Sequence, residues 1–271
     1  MREADFPSFL EFARREGWSC DTAELRAFAG ANPDGCLVAD EDGEPVGFVM
    51  AYRHVRSAWI GNLLVAPRAR GHGLGGHLLG VLIERLDAVV PTVYLNAAPV
   101  ARELYGRFGF QELCPVARMR LATSIGDVVF ERGGASFPGL MSLDAECWGD
   151  CRREMLTTML SARWVVHDVQ SGSYLALGVV EDRVAIGPFL LGHSAPEPAV
   201  RLLRRALGIS RGLVGEGAVV ADVPVACAAS MAAVQELSGE QISETLCMVR
   251  GEQVGVDFSR IASFASLGSK G

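Results

Sequence analysis

The chain has 271 residues, of which 49% are hydrophobic and 21% charged, and its formal net charge is −7. A composition this apolar excludes a disordered chain and leaves room for one large domain or two of ordinary size. The acidic balance argues against nucleic acid as a partner. No apolar run reaches the ~18 residues of a membrane span, and the N-terminus lacks a basic-then-apolar signal pattern. We therefore expect a cytoplasmic protein without a membrane partner.

The seven cysteines are scattered along the chain and form no Cys-x-x-Cys pair. Cys147 and Cys151 lie one helical turn apart, but no His or Cys cluster completes a set of metal ligands around them. The cysteines are therefore predicted to be reduced and buried, and no metal site is expected.

The first half of the chain is predicted to alternate between short helices and strands. Asp21 and Glu24 have the spacing of a capping box at the start of the second helix. In chain order, the pattern predicts helices over 8–16 and 21–29, strands over 36–39, 46–55 and 57–65, a helix over 77–86, a strand over 92–95, a helix over 99–108, and one or more closing strands over 111–121.

The turn between the strand over 57–65 and the next helix is rich in glycine. It consists of Arg70, Gly71, His72, Gly73, Leu74, Gly75 and Gly76. Glycine lets an anion approach the backbone, and a helix N-terminus offers free N–H groups and a positive dipole end, so the turn suits a pyrophosphate. Three interpretations are open: a coenzyme A site, a dinucleotide site of the G-x-G-x-x-G type, and a plain turn that starts a helix. The dinucleotide pattern needs an acid after the next strand, where Asn96 stands.

The wider context favours the first interpretation. Arg70-x-x-Gly73-x-Gly75, preceded by Val65-x-Pro67, resembles the acetyl-CoA pyrophosphate motif of the GNAT superfamily of N-acetyltransferases. Leu95-Asn96 and the run Tyr105-Gly106-Arg107-Phe108-Gly109-Phe110 follow in the order of that family. The resemblance implies an α/β fold of the α+β type, with a mixed, mostly antiparallel central sheet flanked by helices. It also implies a catalytic domain over residues 1–122, with a boundary near Thr123 to Asp127.

The resemblance further implies acetyl-CoA as cosubstrate and direct attack by an amine in a ternary complex. Arg70 and the backbone of residues 71–76 would hold the pyrophosphate. The main chain of Leu63, Leu64 and Val65 would bind the pantetheine arm and polarise the acetyl carbonyl, and Asn96 would bind the arm from the next strand. Tyr105 would act as general acid.

The general base is less evident, because the strand over 59–64 carries no carboxylate. His54 is the first candidate, since histidine titrates in the useful range, and Glu24 and Tyr52 are the others. The acceptor is expected to be a small-molecule or peptide amine. The missing carboxylate also keeps open a non-catalytic acetyl-CoA-binding or regulatory protein, and the glycine pattern keeps open an NAD(P)-binding oxidoreductase.

The second half repeats the order of elements without the glycine motif. The pattern predicts one helix over 143–160, strands over 163–169, 174–180 and 184–190, a helix over 198–207, a strand over 218–223 and a helix over 230–237. Residues 191–197 have one glycine, a proline and an acid where a phosphate loop would stand.

We therefore predict a degenerate GNAT-like domain over 123–271, with a role in the acceptor cleft or in an interaction. This half is similar to a bacterial two-domain GNAT subfamily in Trp148-Gly149, Ile186-Gly187-Pro188 and Asp222-Val223-Pro224. The sequence carries no indication of the oligomeric state.

Overall fold

The computed structural model describes residues 1–18, 20, 22–124, 137–253 and 255–265. Its helices are α1 (Phe6–Arg15), α2 (Thr22–Ala31), α3 (Leu74–Asp87), α4 (Arg102–Arg107), α5 (Pro138–Trp148), α6 (Arg153–Leu160), α7 (Pro196–Val214) and α8 (Ala228–Glu236). Its strands are β1 (Cys36–Glu41), β2 (Glu44–Arg53), β3 (Ser57–Val65), β4 (Thr92–Ala97), β5 (Gln111–Ala122), β6 (Trp164–Asp168), β7 (Ser173–Val180), β8 (Arg183–Leu190), β9 (Ala218–Pro224), β10 (Glu240–Gly251) and β11 (Ile261–Ser263).

All the described strands belong to one sheet. Its order is β1-β2-β3-β4-β10-β5-β9-β8-β7-β6, and β11 pairs with β8 outside this order. Two pairs of adjacent strands, β3 with β4 and β8 with β9, are parallel. The other pairs are antiparallel. The predicted mixed, mostly antiparallel sheet flanked by helices is therefore confirmed, with the difference that the sheets of the two halves are joined.

The two halves exchange strands at the centre of this sheet. β5 follows α4 in the first half, yet it pairs with β9 of the second half. β10 follows α8 in the second half, yet it lies between β4 and β5 and pairs with both. The exchange is reinforced where Arg118 of β5 binds the carboxylate of Asp222 on β9 through two hydrogen bonds of 2.8 and 3.0 Å.

The exchange of β5 and β10 between the two halves affects where the domains can be divided. Each half of the sheet is completed by a strand that comes from the other half of the sequence. The division into residues 1–122 and 123–271 stays a prediction, and part of its boundary, residues 125–127, lies outside the described residues.

The helices cover both faces of the first half of the sheet. On one face, α3 and α4 enclose a core that includes Ile60, Leu82 and Leu95. On the opposite face, α1 and α2 pack over β2 together with α5 and α6 of the second half, so that side chains such as Phe48 and Met155 share one core. Burial of this shared core holds the two halves against each other.

Two predicted helices differ from the observed ones, and two observed strands have no predicted counterpart. The helix predicted over 143–160 is two helices, because the chain turns at Gly149 (φ +64) and Asp150 accepts hydrogen bonds from the Arg56 amide and the Ser57 hydroxyl. α7 continues to Val214, seven residues beyond its predicted end at 207. β10 and β11 were not predicted.

A buried ion pair fixes the turn between α5 and α6. Arg152 binds both carboxylate oxygens of Asp144, with distances of 3.0 and 2.6 Å, and its guanidinium lies 4.0 Å from the centroid of the Trp148 ring. Both side chains are almost fully buried, at 2% and 0% exposure.

Arg152→Ala is expected to lower the free energy of unfolding by about 3–5 kcal/mol, because it leaves the Asp144 carboxylate buried without its partner. Urea denaturation measures the change. The control is Arg153→Ala, which alters an exposed neighbour and should cost well under ~1 kcal/mol. Equal stability of the two variants would contradict the assigned role of the pair.

The structure also bears on membrane association. Among the described residues, no helix combines the length and the apolar character that crossing a bilayer requires. The cytoplasmic location stays a prediction.

Candidate active site

An opening in the sheet lies between the two parallel strands of the first half. The pairing of β3 with β4 ends at Ile60 and Leu95. β3 itself continues to Val65, and over that stretch it keeps its pairing with β2 on the other side. The two strands therefore separate toward their C-terminal ends, which leaves the main chain of residues 61–65 facing a gap.

A β-bulge shapes the β3 side of this gap. Phe48 pairs with Leu64 and Met50 with Gly61, so the single residue between them on β2 faces both Asn62 and Leu63. Asn62 has a left-handed backbone (φ +56), and its amide nitrogen lies 3.4 Å from the sulfur of Met50. A bulge of this kind re-aims the following backbone groups, here those of Leu63 and Leu64 at the edge of the gap.

The glycine-rich loop ends at the start of α3, beside the end of β3. Gly71 and Gly73 have φ of +81° and +82°, and Gly73 is the N-cap residue of α3. A Cβ added at either glycine would meet no atom within 4 Å, so there is space for a side chain. Glycine is required at both positions because of the positive φ. The N–H groups of the first turn of α3 have no partners within the helix, and they form a positive end of the helix dipole.

Arg70 holds this loop in place. Its Nε donates a 2.9 Å hydrogen bond to the carbonyl oxygen of Val65, and its guanidinium forms an ion pair with Glu16, just beyond the end of α1. The side chain is about half exposed. His72 is exposed and Leu74 is half-buried at the first position of α3.

Asn96 lies on the β4 side of the gap, one residue beyond the last β3–β4 pair. Both its amide nitrogen and its amide oxygen are buried and have no hydrogen-bond partner. Buried polar atoms are rarely left unpaired, because each one costs about 1–3 kcal/mol. An unpaired side-chain amide at this position is available to a hydrogen-bonding ligand.

Residues of β10 were missed by the sequence reasoning. Cys247 pairs with Asn96 across the strands, and Thr245 lies two residues away on the same face of β10. The Thr245 hydroxyl is also buried without a hydrogen-bond partner. The second half of the sequence therefore places a buried, unpaired hydroxyl on the strand that pairs with β4. Only the strand exchange brings it there, and no local pattern in the sequence indicates it.

Tyr105 lies on α4 and is 7% exposed. It belongs to the same core cluster as Leu63 and Ala97, and its ring makes an edge contact with Phe110 at 6.0 Å. Burial raises the pKa of the Tyr105 phenol to about 12. The hydroxyl is therefore protonated at neutral pH, as a general acid has to be, and burial makes it a weaker acid than a free phenol.

His54 is not brought to the gap. It follows β2, and its amide donates to the carbonyl of Ser57 at the start of β3. Asn62 lies five residues after Ser57 on β3, which is a distance of about 17 Å at ~3.3–3.4 Å per residue. Burial, with a smaller contribution from Arg152, lowers the pKa of His54 to about 3. The imidazole is neutral and only weakly basic, which suits a core residue better than a general base.

Neither of the other two candidates, Tyr52 and Glu24, is supported as the general base. Burial first, and then the carboxylate of Glu154, raise the pKa of Tyr52, whose ring stacks on His54 at 5.4 Å. The side chain of Glu24 lies outside the described residues. The structure thus groups the loop over 70–76, the end of β3 and Asn96 around one gap, with Tyr105 in the adjoining core, and it leaves His54 at the far end of the hairpin.

Comparison with known families matches this geometry. The profile of the Acetyltransferase (GNAT) family matches residues 3–110, and the profile of an Acetyltransferase (GNAT) domain matches residues 140–261. The chain belongs to the GNAT superfamily. It carries two GNAT domains, so the predicted resemblance is confirmed for both halves of the chain. A search of curated proteins finds no match.

Solved structures share the whole fold. A candidate acetyltransferase from Pyrococcus horikoshii is 19% identical, with a TM-score of 0.83 over 100% of this chain and 94% of that one. A tandem GNAT protein from the clavulanic acid biosynthesis pathway is 13% identical, with a TM-score of 0.60 over 93% and 95%. A GCN5-related N-acetyltransferase from Anabaena variabilis is 15% identical, with a TM-score of 0.59 over 94% and 72%. At such identities the likeness concerns the fold.

Proposed function

We propose that this GNAT protein transfers an acetyl group from acetyl-CoA to a small-molecule or peptide amine, and that the reaction takes place in the gap between β3 and β4. The observation that carries the proposal is the orphaned amide of Asn96 at the edge of an opening that the glycine-rich loop borders. The two polar atoms of this amide lack partners, and a ligand in the opening would supply them.

The residues present fit acetyl-CoA. The backbone of residues 71–76 and the N-terminal turn of α3 would bind its pyrophosphate, because N–H groups and the helix dipole favour an anion there. The main chain of Leu63, Leu64 and Val65 would pair with the pantetheine arm as a neighbouring strand does, and Asn96 would bond the arm from β4. In this arrangement Arg70 acts mainly by holding the loop to Val65 and Glu16.

In the transfer step the amine nitrogen attacks the carbonyl carbon of the acetyl group. A C–N bond forms, the C–S bond breaks, and the electron pair leaves on sulfur. A main-chain N–H at the β3 bulge stabilises the charge that develops on the carbonyl oxygen. Tyr105 donates its phenolic proton to the departing thiolate and regains a proton from solvent, and the nitrogen loses its proton to solvent. With no general base assigned among the described residues, the amine reaches the gap in its neutral form.

Tyr105→Phe is expected to lower kcat by about 10- to 1,000-fold, with little change in acetyl-CoA affinity, because the substitution removes the proton donor alone. Thiol release during turnover measures the rate, and calorimetry measures the affinity. Tyr174→Phe, which removes a tyrosine hydroxyl in the second half of the chain, is the control and should behave as wild type. An unchanged kcat in Tyr105→Phe would remove this residue from the mechanism.

A non-catalytic acetyl-CoA-binding or regulatory protein is the main rival. The absence of a carboxylate on β3 and the low basicity of His54 favour it. A panel of amines assayed for thiol release separates the two functions. Turnover with any amine supports the transferase, whereas micromolar binding of acetyl-CoA without turnover across the panel supports the rival. The NAD(P) alternative loses its support, since the glycines that suggested it belong to a GNAT motif in a GNAT fold.

A further inference from the structure

The second half of the sheet contains the counterpart of the gap, between β8 and β9. The parallel pairing of β8 with β9 ends at Ile186 and Ala221, just as that of β3 with β4 ends at Ile60 and Leu95. By this register, Phe189 and Leu190 correspond to Leu63 and Leu64. β8 then runs on beyond its last pair with β9, as β3 does beyond its last pair with β4.

The second gap is filled by the chain itself. β11 pairs with β8 through Ile261 opposite Leu190 and Ser263 opposite Phe189. On the other side, the amide of Phe264 donates a 2.9 Å hydrogen bond to the carbonyl oxygen of Asp222 on β9. We call residues 260–265 the C-terminal strap. The strap bridges β8 and β9. At the equivalent position in the first half, between β3 and β4, no strand lies among the described residues.

The Ser263 side chain completes this bridge. Its hydroxyl accepts a 3.0 Å hydrogen bond from the amide of Asp222 and donates one of 3.0 Å to the carbonyl of Ile186. Arg163, which is 6% exposed, adds hydrogen bonds to the carbonyls of Gly187 and Ala265. Residues 261–265 are each at most 2% exposed.

The three motifs that distinguish the second half in sequence all contact the strap. Gly187 leaves room for it, because an added Cβ would lie 1.9 Å from the carbonyl oxygen of Phe264. The main chain of Asp222 bonds it, and the Trp148 ring packs 5.5 Å from that of Phe264. The Phe264 ring also makes an edge contact at 5.8 Å with Trp59 of β3, so the strap supports the strand that borders the first gap.

The helix after β8 is also unsuited to a pyrophosphate. α7 begins Pro196-Glu197-Pro198. Two of its first three residues therefore lack the N–H group that would bind an anion, and the third places a carboxylate in the first turn. In α3 the corresponding residues are Leu74, Gly75 and Gly76, which all carry an N–H.

We infer that the C-terminal strap permanently takes the place of the cosubstrate arm in the second GNAT domain, so that each chain has one acetyl-CoA site, in the first domain. The second domain thereby becomes a support for the first, through Phe264 and Trp59. The number of acetyl-CoA sites per chain rests on the proposed function. The filling of the second gap by the strap does not depend on that function.

Calorimetric titration of acetyl-CoA into the full chain tests the stoichiometry. One acetyl-CoA per chain is expected. Gly73→Glu, which alters only the glycine-rich loop before α3, should abolish all acetyl-CoA binding. Two sites per chain, or binding that persists in Gly73→Glu, would overturn the inference.

Hydrogen exchange of the ligand-free chain tests the strap independently of any cosubstrate. The amides of Phe264 and Leu191, which donate to Asp222 and Arg260, should exchange as slowly as core amides. Ser263→Ala should speed exchange of the strap by about 5- to 140-fold, because the substitution leaves the buried amide of Asp222 without its partner. Ser259→Ala, at an exposed serine beside the strap, is the matched control.

The two experiments separate the possible failures. Fast exchange over residues 261–265 in the wild type would overturn the strap whatever the titration shows. A protected strap in a chain that binds no acetyl-CoA would leave the second gap filled as inferred and would refute the proposed function instead.

Discussion

Gly73→Glu is expected to weaken acetyl-CoA binding by more than 100-fold, which corresponds to about 2.8 kcal/mol at 1.4 kcal/mol per tenfold. Gly73 is the N-cap of α3 and has φ +82, a conformation that costs a residue with a Cβ about 1–2 kcal/mol. The new carboxylate also enters the positive end of the helix dipole, where the pyrophosphate is proposed to bind. Calorimetric titration of acetyl-CoA measures the loss.

Two further variants separate charge from strain. Gly73→Ala adds the strain alone, since a Cβ there meets nothing within 4 Å, and it should retain most of the affinity. Gly215→Glu places the same side chain at the end of α7, where φ is +64 and an added Cβ again meets nothing within 4 Å. That control should bind as wild type. If Gly73→Glu also binds as wild type, the loop is not the pyrophosphate site.

A fragment of residues 1–122 is expected neither to fold cooperatively nor to bind acetyl-CoA, although it contains the entire glycine motif. The fragment lacks β10, which pairs with β4 beside Asn96. It also loses the buried side chains Cys247, Met248 and Val249, which are at most 2% exposed. Burial of such side chains is worth about 1.5–3 kcal/mol each, which together approaches the ~5–15 kcal/mol of a whole domain.

Thermal unfolding and calorimetry of the fragment measure this effect. Co-expression with a fragment of residues 123–271 supplies β10 and should restore both folding and binding. In the full chain, Val249→Asp should weaken both properties, whereas Ile242→Asp, at a position of the same strand that is 42% exposed, should not. A fragment of residues 1–122 that folds and binds like the full chain would contradict the functional importance of the strand exchange.

The local elements of the first half were largely predictable. β3 was predicted over 57–65, where it lies, because a run of alternating and apolar residues ends at Pro67 and a glycine turn. The bulge at Asn62 has a weak signal, since Gly61-Asn62 interrupts this apolar strand with two residues that favour neither β structure nor burial. The break at Gly149 was missed because the residues on either side are strongly helical.

The unpredicted strands have a common physical reason. β10 begins with exposed and mostly polar residues, from Glu240 to Glu244, and only its second part enters the core. Its partners β4 and β5 are more than 100 residues away, and sequence periodicity carries no information about pairing at that distance. β11 has three residues, too few for any period to appear.

The sequence by itself determined the family, the fold class and the loop that is proposed to bind the pyrophosphate. These depend on local chemistry: glycines that allow a left-handed backbone, a helix start, and a strand that ends at Asn96. The tertiary structure alone decided that β10 completes the first domain, that Cys247 of β10 pairs with Asn96, and that His54 is remote from the gap. It also decided that the strap fills the second gap. Each of these is set by long-range strand pairing and burial, which depend on the whole chain rather than on any segment of it.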